Sequence, residues 1–226
     1  MVAVTGASRH RRRARRALGE PPASLSDFPQ LTNKPPAWFR AHTQRTGRDG
    51  GCWWFSSHAE GASPDGRFDL VTPDGTCYLA NSRHAAALEK VGRYLARHTW
   101  VPASAVEGVV VTRVDTLHTG SRLIADWTSP SAPVVGATRE LSTTPDYRLS
   151  SRWAQAFFRD GFAALVYQPR FSTGDELAVA LFGPEGRREW AVRSGTPLRK
   201  VLVGMGVKVA ATPYTVETDD AAQAGD

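Results

Sequence analysis

A chain of 226 residues with 41% hydrophobic content is long enough for one sizeable soluble core and does not demand two domains. No apolar run approaches the roughly 20 residues needed to span a bilayer, which argues against a transmembrane role. The formal charge of +6 describes a tail. Arg9, Arg11, Arg12, Arg13, Arg15 and Arg16 carry it, and the rest of the chain is neutral.

In chain order, residues 1–27 are expected to form a disordered, arginine-rich arm, because the block carries charge without apolar surface to bury. Such a block can contact phosphates, so a nucleic-acid-binding role for the arm stays open. It lacks the apolar stretch of a secretory signal. The folded domain is expected over 28–212, followed by a disordered acidic tail at 213–226. Two prolines in LTNKPPAWFR impose an extended approach into Trp38-Phe39-Arg40, which places Arg40 at a first strand. A planar, permanently charged guanidinium there suits phosphate oxygens.

Arg45–Gly51 is expected as a loop and Trp53–Phe55 as a buried strand. Cys52 and Cys77 make no disulfide framework, which fits reduced thiols and a cytoplasmic location. Neither they nor His42, His58, His84 and His98 have metal-ligand spacing, so no metal is expected.

From Gly66 to Arg93 the chain reads GRFDLVTPDGTCYLANSRHAAALEKVGR. Asp74-Gly75 is a turn signal, Thr76–Ala80 suits a half-buried strand, and Asn81 or Ser82 can cap a helix. Leu88, Val91 and Leu95 are expected to form that helix's buried stripe. Glu89 lies beside the stripe among Ala85, Ala86, Gly92 and Arg93, a carboxylate with open space around it. Its plainer reading is a surface pair with Arg93, and Lys90, one position round the helix, is expected to take no part. For Arg67 the plainer reading is an ion pair with Asp69 or Asp74.

Further on, Gly108–Val114, Ser121–Trp127, Ala163–Tyr167, Leu177–Phe182, Trp190–Val192 and Val207–Ala211 read as strands, and Ser150–Asp160 as a helix stopped by Gly161. Ser129–Val135 contains two prolines and is expected to be irregular. More strand than helix, in irregular alternation, predicts a single α+β domain with a mixed sheet and a few flanking helices. There is no glycine-rich dinucleotide fingerprint and no P-loop.

WFRAH (38–42), GRFD (66–69), GTCYLANSRHAAALEKVG (75–92) and GFAALVYQPRF…LAVALFG (161–183) resemble the RES-domain family over roughly residues 36–185. That resemblance implies an ADP-ribosyltransferase-like fold and a toxin-like enzyme that cleaves the nicotinamide–ribose bond of NAD. The bond breaks by phosphorolysis, hydrolysis or ADP-ribosyl transfer. NAD is then a substrate, with no separate cofactor, inorganic phosphate is a second reactant, and a cognate antitoxin is an implied partner. Glu89 is assigned to stabilise the cation-like ribose, Tyr78 to stack on nicotinamide or ribose, and Arg40 to hold pyrophosphate or phosphate. Arg67, Arg170 and Ser172 are assigned to substrate binding. In the family a serine follows the late-strand tyrosine. Here the run is Tyr167-Gln168-Pro169-Arg170, with proline in that place and Ser172 three residues on. A RES-fold binding protein without activity is therefore the alternative.

Overall fold

The computed structural model describes residues 19–44 and 51–211. The strands are β1 (Trp38–Thr43), β2 (Trp54–Phe55), β3 (Ser57–His58), β4 (Leu70–Val71), β5 (Asp74–Ala80), β6 (Trp100–Pro102), β7 (Val109–Val114) and β8 (Ile124–Asp126). They continue with β9 (Ala164–Tyr167), β10 (Ala178–Pro184), β11 (Gly186–Arg187), β12 (Thr196–Pro197) and β13 (Lys208–Ala210). The helices are α1 (Arg83–Leu95), α2 (Arg139–Thr143), α3 (Tyr147–Arg159) and α4 (Leu198–Gly204). This is the expected α+β class, a single domain built on a mixed sheet with flanking helices.

Seven strands make the main sheet in the order β12-β7-β1-β5-β10-β9-β8. Every pairing is antiparallel except β8 with β9. Because side chains alternate along a strand, β5 sends Cys77 and Leu79 to one face, where they join Trp53, Phe55, Val179 and Leu181. Its other face carries Tyr78 and Ala80. Tyr78 packs on the cluster built around α3, with Phe68, Leu165 and Phe157. Ala80 packs on the cluster built around α1 and α4, with Ala86, Val91 and Leu198. Two helices thus stand side by side over one sheet face, and Tyr78 lies between their cores.

The sheet is not continuous at its centre. β1 is paired with β7 along its whole length and β5 with β10 along its whole length. β1 and β5 meet only at Phe39 and Ala80. Beyond that pair the strands part, and Arg40 and Ala41 face a gap instead of a ladder.

Several expectations shift at the ends of elements. Asp74-Gly75 belongs to β5, not to a turn, because both pair with the end of β10. Ser82 caps α1 as expected, its hydroxyl accepting the Ala85 N–H at 3.0 Å. The buried face of α1 is Ala85, Ala86, Ala87, Val91 and Gly92. Leu88 and Leu95 are only half-buried, since the helix lies too close to the sheet for larger side chains. Residues 132–135 form one 3-10 turn within the stretch expected to be irregular. Trp190–Val192 is not a strand. Trp190 instead folds over the Trp53 ring at 5.0 Å.

Of the arm expected over 1–27, residues 19–27 are described and lie on the domain. The Gly19 carbonyl accepts from the Trp153 indole at 3.0 Å, and Leu25 and Phe28 are each 2% exposed. Residues 1–18, 45–50 and 212–226, which include the arginine block and the acidic tail, lie outside the described residues. No helix among those described is long and apolar enough to cross a membrane.

Candidate active site

Where β1 and β5 part, a cavity of about 260 Å³ opens between α1 and α3. Arg40, Arg67, Tyr78, Glu89 and Arg170 all line it, although the sequence spreads them over 130 residues. Ser172 is not among the lining residues, and its hydroxyl is buried with no partner among the described residues. Pro169 is buried too. The hydroxyl groups at the cavity belong to Tyr78, Tyr147 and Tyr167.

Arg40 is held from behind. One guanidinium nitrogen donates to the carbonyls of Cys52 at 2.8 Å and Trp54 at 2.7 Å and contacts the Cys77 sulfur. The Cys52 carbonyl lies just before β2 and the Trp54 carbonyl opens it. Burial pushes the Cys52 thiol up to about 12 and raises Cys77 as well, so both stay neutral beside the cation.

Tyr78 is fixed through its hydroxyl, which donates to Asp69 Oδ1 at 2.9 Å and accepts the Phe68 N–H at 2.8 Å. Burial, then the Asp69 charge, raises its pKa well above the ordinary tyrosine value. It is therefore a protonated, rigid wall and not an acid–base group. Asp69 also accepts from Ser56 Oγ at 2.7 Å and Gly66 N–H at 2.7 Å. The GRFD turn is thus a clasp on Tyr78.

Arg67 pairs with neither Asp69 nor Asp74. It is 8% exposed, donates to the Thr144 carbonyl, and lies over the Tyr147 ring at 4.7 Å. Desolvation lowers its pKa, yet an arginine so placed stays charged. Nor does Glu89 pair with Arg93, whose guanidinium donates to the Tyr147 hydroxyl at 3.0 Å and so bridges α1 to α3. Glu89 Oε1 accepts the Phe171 N–H at 3.2 Å. Burial raises the Glu89 pKa, while the Phe171 amide, Arg67 and Arg170 pull it back. The open space expected around Glu89 is filled on one side, since the Phe171 ring lies against Gly92.

Lys90, expected to take no part, is exposed but also lines the cavity. Desolvation and then Arg40 lower its pKa. Arg40, Arg67, Lys90, Arg93 and Arg170 thus face two carboxylates, Asp65 and Glu89. That balance suits an anionic ligand. Tyr147, Tyr167, Lys90 and Phe171 escaped sequence reasoning. Aromatic residues at helix starts and strand ends are ordinarily core, and no local pattern says that α3 comes beside α1.

The chain belongs to the RES domain family, whose model matches residues 37–199, further toward the C-terminus than the motifs alone reach. A search of curated proteins returns no match. Among solved structures, the chain is similar to one from the crystal structure of the M. tuberculosis MbcT-MbcA toxin-antitoxin complex. That similarity is at 14% identity and a TM-score of 0.46, covering 85% of this chain and 96% of that one.

Proposed function

We propose that this chain cleaves the nicotinamide–ribose bond of NAD in the cavity between β1 and β5. The observation that carries the reading is the convergence of Glu89 with Arg40, Arg67 and Arg170 on one cavity walled by Tyr78. Nicotinamide leaves as a neutral molecule, so the bond can break without a strong general acid. The ribose becomes cation-like, and a preorganised carboxylate at Glu89 stabilises it. The arginines balance the dinucleotide's phosphates, or an inorganic phosphate that attacks the ribose. At about 260 Å³ the cavity is at the small end of ligand pockets. It would take the nicotinamide–ribose end and leave the remainder at its mouth. The antitoxin implied by the family resemblance would bind over that mouth, between Arg40 and Glu89.

A second reading has its own observation. Among the described residues no serine lines the cavity, and position 169 is a buried proline, which favours a RES-fold protein that binds without turning over. Purified protein incubated with NAD, with and without inorganic phosphate, separates the two. Nicotinamide release supports the enzyme. Saturable NAD binding without release supports the binder.

A further inference from the structure

Gly92 stands inside α1, where glycine destabilises a helix relative to alanine. Its backbone does not require glycine, for it is absent from the positive-φ positions. The reason lies in the neighbouring connection between β9 and β10. A Cβ at position 92 would fall 2.2 Å from Phe171 Cγ and 2.6 Å from its Cβ and Cδ2. The phenyl ring thus occupies volume that any other residue would fill.

Residues three apart share a helix face, so Gly92 lies beside Glu89. With its ring on the glycine, Phe171 presents its backbone N–H to Glu89 Oε1 at 3.2 Å. The far end of the same connection is tied to the start of α1. Leu177 N–H donates to Asn81 Oδ1 at 3.0 Å, Asn81 N–H to the Leu177 carbonyl at 2.8 Å, and Ser82 Oγ to Glu176 Oε1 at 2.8 Å. With that end fastened, the ring's seat decides where the middle of the connection lies.

We infer that Gly92 and Phe171 are positioning residues for Glu89: the seated ring holds the Phe171 amide against the carboxylate and fixes its place in the cavity. The kinetic part of this inference rests on the NAD reading, and the structural part does not. Charged and titratable groups reach the Glu89 surroundings from every neighbouring element: Arg40 from β1, Asp65 and Arg67 before β4, Tyr78 from β5, Lys90 and Arg93 from α1, Tyr147 from α3, Tyr167 from β9, and Arg170. Of these, Arg170 is in direct contact with the ring, its guanidinium lying over it at 5.4 Å. Unseating it therefore takes an amide, and in part a cation, away from Glu89. Its ionisation shifts to higher pH.

Gly92→Ala improves helix propensity, and because its methyl meets Phe171 Cβ as well as the ring it displaces the whole residue; circular dichroism checks that the variant stays folded. Nicotinamide release should fall about tenfold, the worth of one hydrogen bond to a charged group, mainly in kcat. The acid limb of the pH–rate profile should move up. Phe171→Ala should lower release as well, but it also relieves the burial that raises Glu89, so the pH shift is read from Gly92→Ala. The losses in the double variant should be less than additive, because both changes disturb the same contact. Carbon-detected NMR titration of the Glu89 carboxyl requires no turnover, and its midpoint should rise in Gly92→Ala. An unmoved midpoint, or independent additive losses in the two single variants, overturns the inference. If the wild type releases no nicotinamide, the NAD reading fails, and the titration alone decides the seat.

Discussion

At Glu89 the fold sets burial against the backbone amides of Phe171 and Arg170 and the charges of Arg67 and Arg170, and burial wins, leaving the carboxyl above its ordinary pKa. The consequence for stability has a definite sign. A carboxyl whose folded pKa exceeds its unfolded one contributes stability that is fully present below the unfolded value. That contribution is lost as pH rises through the folded value. Glu89→Gln never ionises, so its melting temperature relative to the wild type should be higher at about pH 8 than at about pH 4. Thermal melts of both proteins across that range check this. Two other single residues test the missing hydroxyl. Ser172 is off the cavity with an unpartnered oxygen, so Ser172→Ala should leave turnover unchanged. Pro169→Ser should raise turnover, because it restores a hydroxyl between the lining residues Tyr167 and Arg170. Steady-state nicotinamide release from both variants reads the outcome. Five of the six residues assigned through the family motifs line the cavity, because each motif lies on a strand, turn or helix that borders it; only Glu89 also stood out by its small neighbours. Ser172 does not line it, because which side of a loop a hydroxyl takes depends on packing that spacing does not encode.

Among the elements, the GRFD turn and β5 form one unit. Position 66 admits only glycine for reasons of space: an added Cβ would fall 2.4 Å from Asp69 Oδ1 and 2.7 Å from the Tyr78 hydroxyl. Gly66→Ala should break the Asp69–Tyr78 clasp and cost about 1–3 kcal/mol, the price of buried polar groups losing partners. A lowered urea midpoint at unchanged slope would register it. The start of α1 could be read in advance because Ser82 states its capping role locally. Its buried face could not, since three alanines signal helix propensity and close approach alike. α4 was also missed. Seven residues following a proline are too few to show a period, and Leu198, Val201 and Leu202 declare themselves only by packing under α1. The parting of β1 from β5 has no sequence signature either. Each strand is paired along its length with its outer neighbour, and the parting of the inner edges is what frees Arg40.

The whole domain is closed at its N-terminal side by residues 19–28 lying on α3. Phe28 meets Phe157 edge-on at 4.7 Å, and Arg152 grips the Glu20 carboxylate through two nitrogens. A truncation beginning at Gly19 should keep the full melting temperature. One beginning at Pro29 should lose several kcal/mol, since two fully buried apolar side chains are worth about 2–3 kcal/mol each. Chemical denaturation of the two truncated proteins separates them. The central claim is that the cavity in the split sheet breaks NAD with Glu89 as its essential charge. The direct measurement is nicotinamide release by wild type, Glu89→Gln and a control, His84→Gln, on the exposed side of α1. Lys90 cannot serve as that control because it lines the cavity. The account predicts release by the wild type and the control, and a loss of about a hundredfold or more in Glu89→Gln while the protein stays folded. Full turnover by Glu89→Gln would contradict it.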